Sequence, residues 1–499
     1  PGPAAAGRGT AAPGSLAGEA PPPSVHLGPG RSVTGAAHPG RGSVFRNIPY
    51  GKAGRWEDPR PAFWQGALDA SRSRVSCMQD AGDSNTKAVE DCLNLDIFTP
   101  AAAGQRPVLL WFYGGAFVAG AAAGLSAEAA WPLVAEQDCV LVVPDTRVGA
   151  FGYLGSERAR RNSTGNWGTL DQLLALAWVS DNIAYFGGDP GRITIGGWSS
   201  GAAAASVLLS SLGESQPLQG AIMSSGGFTD WAAFGMKTAE ENYDALLKAV
   251  GCQASPECQR EGPACSCLLT VPAESLVAAG DGISWAPIID GILVKLSPMD
   301  ALRAGKVKSV PIILGSCLEE GMAALPSDAT PADFKSWVKG IVPEAHLREA
   351  FDLYMGAAAV PALDGVHRGH SPAYWAMRRA AGDRGMTCVA RRVAAAWPRQ
   401  AFQYVWESRF PGEDTSGFGP GFAHEADQRF LFQAEVPAAW LPTARALRQK
   451  VGAFLHGSYG ELASWPVGEG QGLIFQDHGP VASSIRSEQC DFWDGLGSP

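Results

Sequence analysis

The chain has 499 residues, of which 46% are hydrophobic and 18% charged, so it holds enough apolar material for a large core. Its formal net charge of −10 gives no basic surface, which argues against nucleic acid or an anionic membrane as a partner. No apolar run reaches the roughly 18 residues that a membrane-spanning helix needs. None of these quantities defines an oligomeric state.

The first part of the chain, residues 1–22, is rich in Pro, Gly and Ala and has almost no bulky apolar side chain. We expect it to be disordered, and residues 23–499 to form one domain. The sequence does not begin with Met and shows no signal-peptide pattern, so we expect a targeting segment to be missing from it. A sequon at Asn162 predicts glycosylation and is typical of a secretory route.

Short apolar runs that end in Gly, Ser or Asp then alternate with helix-like stretches. The predicted strands are PVLLWFY (107–113), CVLVVPDT (139–146), RITIGG (192–197), GAIMSSG (220–226), VPIILGS (310–316) and FQYVWES (402–408). This alternation predicts an α/β fold with a mostly parallel sheet covered on both faces. In such sheets the chemistry lies at the carboxyl ends of the strands.

One strand-to-helix junction has the pattern of a nucleophile. The stretch GGWSSG (196–201) fits G-x-S-x-G in one register, with Ser199 between Gly197 and Gly201. A sharp turn that projects a serine hydroxyl needs glycines two residues away, because side chains there would collide. The alternative is a plain Gly/Ser loop that joins a strand to a helix.

A second predicted strand, LLWFY, runs into Gly114-Gly115-Ala116-Phe117. Small residues here would let backbone N–H groups point at a developing oxyanion. The N–H of Ser200, at the start of the helix after the nucleophile, would be a further donor. An ordinary glycine turn is the alternative.

The general base must be one of eight histidines. His424 is the one in a Gly-rich loop after a predicted strand, whereas the others lie near the N-terminus, in helical or loop stretches, or in a polar turn. Glu319 or Glu320, which follow the predicted strand VPIILGS, could be the acid that orients this histidine. The alternative is that the two adjacent acids simply begin a helix. The chain order nucleophile, acid, base is that of the α/β-hydrolases.

Ten cysteines are present, and their spacing alone does not define their pairing. Cys139 lies in a predicted buried strand and is expected to be a free core thiol. The cluster from Cys252 to Cys267 favours disulfides over zinc, because no histidine lies nearby.

Taken together, these motifs resemble the type-B carboxylesterase and cholinesterase family of α/β-hydrolases. Further stretches match the family in order: EDCLNLDIFTP (90–100), DTRVGAFGYL (145–154), GNWGTLDQLLALAWVSDNIAYFGGDPGRITI (165–195), APIIDG (286–291) and QCDFW (489–493). The resemblance implies an α/β-hydrolase fold and a serine carboxylic-ester hydrolase that needs no metal or cofactor. Its partner would be a small-molecule ester.

The resemblance also implies the site. Ser199 would be the nucleophile, His424 the base and Glu320 the acid, since the family's glutamate directly precedes a glycine. The oxyanion donors would be the N–H groups of Gly115, Ala116 and Ser200. Pocket residues would be Gly114, Trp198 and Trp231, although Trp231 could equally be a core residue.

Matching cysteines imply the disulfides Cys77–Cys92, Cys252–Cys267 and Cys388–Cys490, and leave Cys258–Cys265 as an extra bridge and Cys139 and Cys317 free. Such bridges imply an oxidising compartment, so we expect secretion or a secretory-pathway lumen. Glu90 and Arg147 match a buried ion pair of the family.

Two departures from the family bear on the substrate. Trp198 stands where the family usually has an acidic residue. The loop from Cys77 to Cys92 is short, polar and without an aromatic residue, which argues against choline esters and against a lipase-like lid. We therefore expect short-chain esters and an acyl-enzyme intermediate. The alternatives are a non-catalytic cholinesterase-like binding or adhesion module, or an amidase or thioesterase.

Overall fold

The computed structural model describes residues 22–72, 75–80, 86–100, 103–159, 165–213, 216–321, 326–356, 370–408, 424–433, 435–468 and 470–497. Residues 1–21, expected to be disordered, and the Asn162 sequon lie outside the described residues. Both therefore stay predictions, as does the single domain over residues 23–499.

The described strands are β1 (Ser24–His26), β2 (Arg31–Thr34), β3 (Ala36–His38), β4 (Gly42–Pro49), β5 (Gly51–Lys52), β6 (Arg60–Pro61), β7 (Gly66–Asp69), β8 (Val75–Cys77), β9 (Lys87–Val89), β10 (Asn94–Thr99), β11 (Arg106–Phe112), β12 (Val140–Pro144), β13 (Gly188–Trp198), β14 (Gly220–Ser224), β15 (Phe234–Gly235), β16 (Ile288–Ile289), β17 (Ile312–Cys317), β18 (Ala401–Trp406), β19 (Gln471–Gln476) and β20 (Gly479–Ser484).

The described helices are α1 (Ala127–Val134), α2 (Gly149–Tyr153), α3 (Trp167–Asn182), α4 (Ser200–Ser211), α5 (Met236–Ala249), α6 (Cys258–Glu261), α7 (Ser266–Thr270), α8 (Ala273–Ala279), α9 (Pro298–Arg303), α10 (Pro331–Lys339), α11 (Leu347–Met355), α12 (Pro372–Gly382), α13 (Cys388–Ala396), α14 (Ala426–Phe432), α15 (Leu441–His456) and α16 (Ser487–Gly495).

An eleven-stranded sheet organises the molecule, in the order β20-β19-β18-β17-β14-β13-β11-β12-β10-β4-β3. The seven strands that lie between β19 and β12 in this order, both included, are parallel to one another. Strand β20 at one side and strands β10, β4 and β3 at the other are antiparallel to their neighbours. The predicted α/β fold with a mostly parallel sheet is confirmed. The parallel pairing brings the carboxyl ends of β11, β13, β14, β17 and β18 to one edge of the sheet.

Apolar side chains bury both faces of this sheet. Along β11, Val108 and Leu110 belong to one hydrophobic cluster, with residues of α3, α4 and α13, and Leu109 and Trp111 to another, with residues of α1, α14 and α15. Alternate residues of a strand point to opposite faces, so a continuous apolar run indicates a strand covered on both sides. Among the described residues, no helix combines the length and apolar character needed to cross a membrane.

Three disulfides join the pairs that the resemblance implies, Cys77–Cys92, Cys252–Cys267 and Cys388–Cys490, and the expected extra bridge Cys258–Cys265 is also present. Cys139 and Cys317 are free and buried. Within the described part of the chain, the one cluster with metal-ligand geometry is formed by Cys252, Cys258 and Cys267. All three sulfurs are already disulfide-bonded, so this cluster offers no thiolate to zinc.

The expected pairing of Arg147 with Glu90 is wrong. Arg147 instead binds Asp171 on α3, with Nε–Oδ2 and Nη2–Oδ1 distances of 2.9 and 2.8 Å, and both side chains are buried. Glu90 pairs with Arg55 at 2.6 Å and keeps 34% of its side chain exposed. The buried Asp171 carboxylate needs a cation more than the partly hydrated Glu90 does.

We predict that Arg147→Met destabilises the fold by about 3–5 kcal/mol, because the change leaves the Asp171 carboxylate buried without its cation. Combining it with Asp171→Leu should recover part of that loss. The matched control is Arg348→Met, which removes an exposed ion pair with Asp352 and should cost less than about 1 kcal/mol. Denaturant unfolding measures all three; equal losses for the two arginine variants would contradict the assignment.

Candidate active site

Strand β13 passes directly into helix α4 through Ser199, whose φ and ψ are 56° and −124°. Few non-glycine residues adopt this backbone conformation, and it turns the side chain out of the bend. A Cβ added at Gly197 would lie 2.3 Å from Gly201 C, and one added at Gly201 would lie 2.0 Å from Phe112 O. Both flanking positions therefore require glycine, for the steric reason expected from the sequence.

The loop after β11, residues 114–120, is called the oxyanion loop below. It lies against the Ser199 turn, because a Cβ added at Gly114 would be 3.0 Å from Ser199 Cβ and 2.2 Å from Trp198 Cε3. Within the described part of the chain, the N–H groups of Gly115 and Ala116 have no hydrogen-bond acceptor. They remain available to a ligand.

Ser200 is the first residue of α4 and is buried. The first N–H groups of a helix have no acceptor within the helix, and the helix dipole favours negative charge at this end. The turn thus presents a third backbone donor next to the Ser199 hydroxyl.

The structure brings Glu320 and His424 together, both fully buried, with 2.5 Å between His424 Nδ1 and Glu320 Oε2. The other carboxylate oxygen, Oε1, accepts from Cys317 N at 2.5 Å and from the Ser225 hydroxyl. Glu320 follows β17, Ser225 follows β14, and His424 precedes α14, so strand ends and a helix start build this contact. Donors to both oxygens stabilise a buried carboxylate and leave it facing the imidazole.

Glu319, the alternative acid, has a different role. Its Oε1 lies 2.8 Å from Arg379 Nη2, and its backbone carbonyl accepts from Arg378 at 3.1 Å. Arg379 thus compensates the charge of this second buried carboxylate, while Glu320 faces the histidine.

Trp198, which stands where the resemblance predicts an acidic residue, packs beside His424. Its ring centroid lies 5.1 Å from that of His424, with a 40° tilt, and the ring also lies against Gly114 of the oxyanion loop. The neutral indole therefore contacts both the loop and the imidazole. These contacts explain how the turn accommodates a tryptophan in place of the expected acidic residue, a question that the sequence alone left open.

A hydrogen-bonded network behind the histidine was missed by sequence reasoning. Asp427, on α14, accepts from the Tyr404 hydroxyl, which also lies 2.8 Å from Ser224 Oγ. Burial raises the pKa of Asp427 above its ordinary value, although the bond from Tyr404 lowers it. Of the unpredicted residues, Ser225 did have a signal, since it is polar and directly follows a strand at the carboxyl edge. Asp427 had none.

Two features lie near the Ser199 turn and the oxyanion loop. The half-buried Trp231 and the Ser199 carbonyl both flank Gly226, because a Cβ added at Gly226 would lie 2.9 Å from Trp231 Cη2 and 2.2 Å from Ser199 O. A groove of about 660 Å³ borders the oxyanion loop at Val118 and Ala119. Its other walls include Met78, Gln79, Ala150, Phe151, Ile283 and Trp285.

Comparisons with known proteins identify the family of this chain. The profile of the carboxylesterase family matches residues 27–445. Two acetylcholinesterases are similar: that of Leptinotarsa decemlineata (31% identical over 320 residues, 56% of this chain and 51% of that protein) and that of Bungarus fasciatus (32% over 357 residues, 63% and 58%). Human thyroglobulin is 32% identical over 292 residues, 56% of this chain and 10% of that protein.

Among solved structures, EstA of Aspergillus niger superposes with a TM-score of 0.78 at 22% identity, over 95% of this chain and 98% of that one. At this identity the likeness shows the fold alone. The chain spans little more than half the length of the two acetylcholinesterases and a tenth of thyroglobulin.

We predict that Asp427→Asn raises the thermal unfolding midpoint relative to wild type, and by more as the pH rises. The folded state holds the Asp427 proton to higher pH than the unfolded chain, whose pKa is about 3.9. Ionisation therefore costs the wild type stability as the pH rises above that value, and asparagine escapes this cost.

Thermal melts from pH 4 to pH 8 test this prediction. The matched control is Asp352→Asn, which makes the same chemical change at an exposed side chain. A difference for Asp427→Asn that shrinks with rising pH would contradict the raised pKa.

Proposed function

The chain belongs to the carboxylesterase family, and we propose that it hydrolyses carboxylic esters with Ser199 as nucleophile, His424 as general base and Glu320 as the acid that orients it. The observation that carries the proposal is the buried 2.5 Å contact between His424 Nδ1 and Glu320 Oε2, combined with the positive-φ turn at Ser199. This geometry supports the assignment of a nucleophile, a base and an orienting group.

The first half-reaction forms an acyl-enzyme. Ser199 Oγ attacks the ester carbonyl carbon while its proton passes to His424 Nε2. Glu320 accepts a hydrogen bond from Nδ1–H, which holds the imidazole in the required tautomer and compensates the imidazolium charge. The carbon–alkoxy bond then breaks, and the leaving alcohol takes the proton back from His424.

Hydrolysis of the acyl-enzyme returns the starting state. A water molecule attacks the acyl carbon, His424 takes its proton, and the proton moves to Ser199 Oγ as the carboxylic acid leaves. In both half-reactions the N–H groups of Gly115, Ala116 and Ser200 would hold the oxyanion. Loss of one such donor usually lowers kcat by about 10²–10³-fold. None of these steps uses a metal or a cofactor.

The substrate we propose is a small or short-chain ester. Trp231 lies against Gly226 next to the Ser199 carbonyl, which would leave little room for an acyl chain there. The groove beside the oxyanion loop would receive the alcohol part. Trp198 adds neutral apolar surface next to the base and no charge that would attract a cationic group.

The four disulfides support a secretory-pathway location, because such bonds persist in oxidising compartments.

Replacing the two serines of the turn separately tests the nucleophile. We predict that Ser199→Ala abolishes hydrolysis of p-nitrophenyl acetate and labelling by a fluorophosphonate. Ser200→Ala should keep most of the activity, because it contributes its backbone N–H. Mass spectrometry of the labelled peptide locates the adduct, and labelling of Ser200 would contradict the assignment.

The same experiment discriminates the alternatives. Folded wild type that forms no adduct at Ser199 would indicate a non-catalytic module. This alternative is considered because thyroglobulin is among the relatives and because a shared fold does not imply a shared function. Faster cleavage of an anilide or thioester than of the matching acetate ester would indicate an amidase or thioesterase.

A p-nitrophenyl ester series from C2 to C12 tests the substrate. We expect the highest kcat/KM at short acyl chains, and we expect Trp231→Ala to move the optimum towards longer chains by removing the wall beside Ser199. The control is Trp337→Ala, which removes another half-buried tryptophan, packed against a different hydrophobic cluster. An optimum at C10 or longer in wild type would contradict a short-chain esterase.

A further inference from the structure

The oxyanion loop has a backbone that needs support from outside. Ala116 and Phe117 have φ values of 53° and 59°, in the left-handed region that non-glycine residues rarely adopt. Gly115 and Gly120 also have positive φ, at 132° and 118°. Such conformations persist only where the surrounding structure holds them, so the contacts made by this loop decide whether its N–H groups stay in place.

Two anchors come from the segment that follows β12. Gly149 N donates to the Phe117 carbonyl at 2.6 Å, and Asp145 Oδ1 accepts from Ala122 N at 2.8 Å. They hold the middle of the loop and the residues just beyond it. Neither contacts the last residue of the loop, Gly120, where the chain turns away from the site.

Gly120 is held by a side chain, that of Gln79. Gly120 N donates to Gln79 Oε1 at 2.7 Å, and Gln79 Nε2 donates to Gly120 O at 2.8 Å. One amide thus pairs with both polar groups of a single backbone residue, as a neighbouring strand would. Gln79 Nε2 also donates to Cys77 O at 3.0 Å, which fixes the amide in this orientation.

The position of Gln79 is itself well defined. It is two residues beyond Cys77, which ends β8 and forms a disulfide with Cys92, and β8 pairs with β9. The loop that in this chain lacks an aromatic ligand-binding residue therefore contacts the oxyanion loop through a polar side chain.

We infer that Gln79 is a positioning residue that holds the oxyanion loop so that the N–H groups of Gly115 and Ala116 stay aimed at the oxyanion. This inference rests on the proposed function. Gln79 acts through Gly120, and its effect should appear in the transition state, where the donors bind charge, more than in substrate binding.

Three variants test the inference. Gln79→Met keeps the length of the side chain but removes both hydrogen bonds, and Gln79→Glu keeps an acceptor for Gly120 N. Gln476→Met makes the same chemical change at an exposed site on β19. We expect Gln79→Met to lower kcat about 10- to 100-fold. The loss of kcat should not exceed the roughly 10²–10³-fold that follows removal of an oxyanion donor itself, because Gln79 only positions the donors.

KM should stay within a factor of about two, since uniform binding is unaffected. Gln79→Glu should fall between Gln79→Met and wild type, and Gln476→Met should match wild type. Wild-type kcat in Gln79→Met would overturn the inference, as would a loss confined to KM. If Gln79→Met does not fold, Gln79→Glu decides: a lower kcat supports the role, and wild-type kcat overturns it.

A failure of the proposed function can be distinguished from a failure of this inference. If the proposed function fails, wild type has no esterase activity and no fluorophosphonate adduct. Amide hydrogen exchange in residues 114–120 then still tests whether Gln79 holds the loop. Faster exchange in Gln79→Met than in Gln476→Met would support it, and equal exchange rates would overturn it.

Discussion

Between β13 and α4 the backbone turns through the single residue Ser199, with φ 56° and ψ −124°. This turn depends on close approach: Gly201 lies so near the Phe112 carbonyl that no side chain would fit. The same approach brings the oxyanion loop, which follows β11, against Ser199. Neighbouring parallel strands thereby place a hydroxyl and backbone donors side by side, and the hydrophobic faces of the sheet hold them there.

Three acidic side chains near His424 have separate partners. Glu320 faces His424, Glu319 faces Arg379, and Asp427 is held by Tyr404. Trp198 contacts the imidazole with an uncharged ring. His424 thus contacts the Glu320 carboxylate and, at Trp198, an apolar ring.

The fold and the candidate site residues could be predicted because their signals are local, although only the fold is confirmed. Strand runs, glycines at fixed offsets and small residues after a strand are readable within ten residues, and the parallel sheet is confirmed. Contacts between distant segments could not be read this way. Ser225 and Glu320, which are hydrogen-bonded, are 95 residues apart in the sequence. The predicted partner of Arg147, Glu90, was wrong because the packing of α3 brings Asp171 to Arg147.

Gln79 and Asp427 illustrate the same limit for the surroundings of the site. Neither lies at the end of a strand of the eleven-stranded sheet, and nothing in the local sequence distinguishes them from other polar residues. Their roles depend on the paths of a disulfide loop and of α14 in three dimensions.

The most direct test of the whole account is a crystal structure of the protein after reaction with a fluorophosphonate. The account predicts a phosphorus–oxygen bond to Ser199 Oγ and a phosphoryl oxygen about 2.7–3.1 Å from the N–H groups of Gly115, Ala116 and Ser200. His424 should lie beside the adduct, still bound to Glu320. An adduct on another residue, or a phosphoryl oxygen turned away from those three N–H groups, would contradict it.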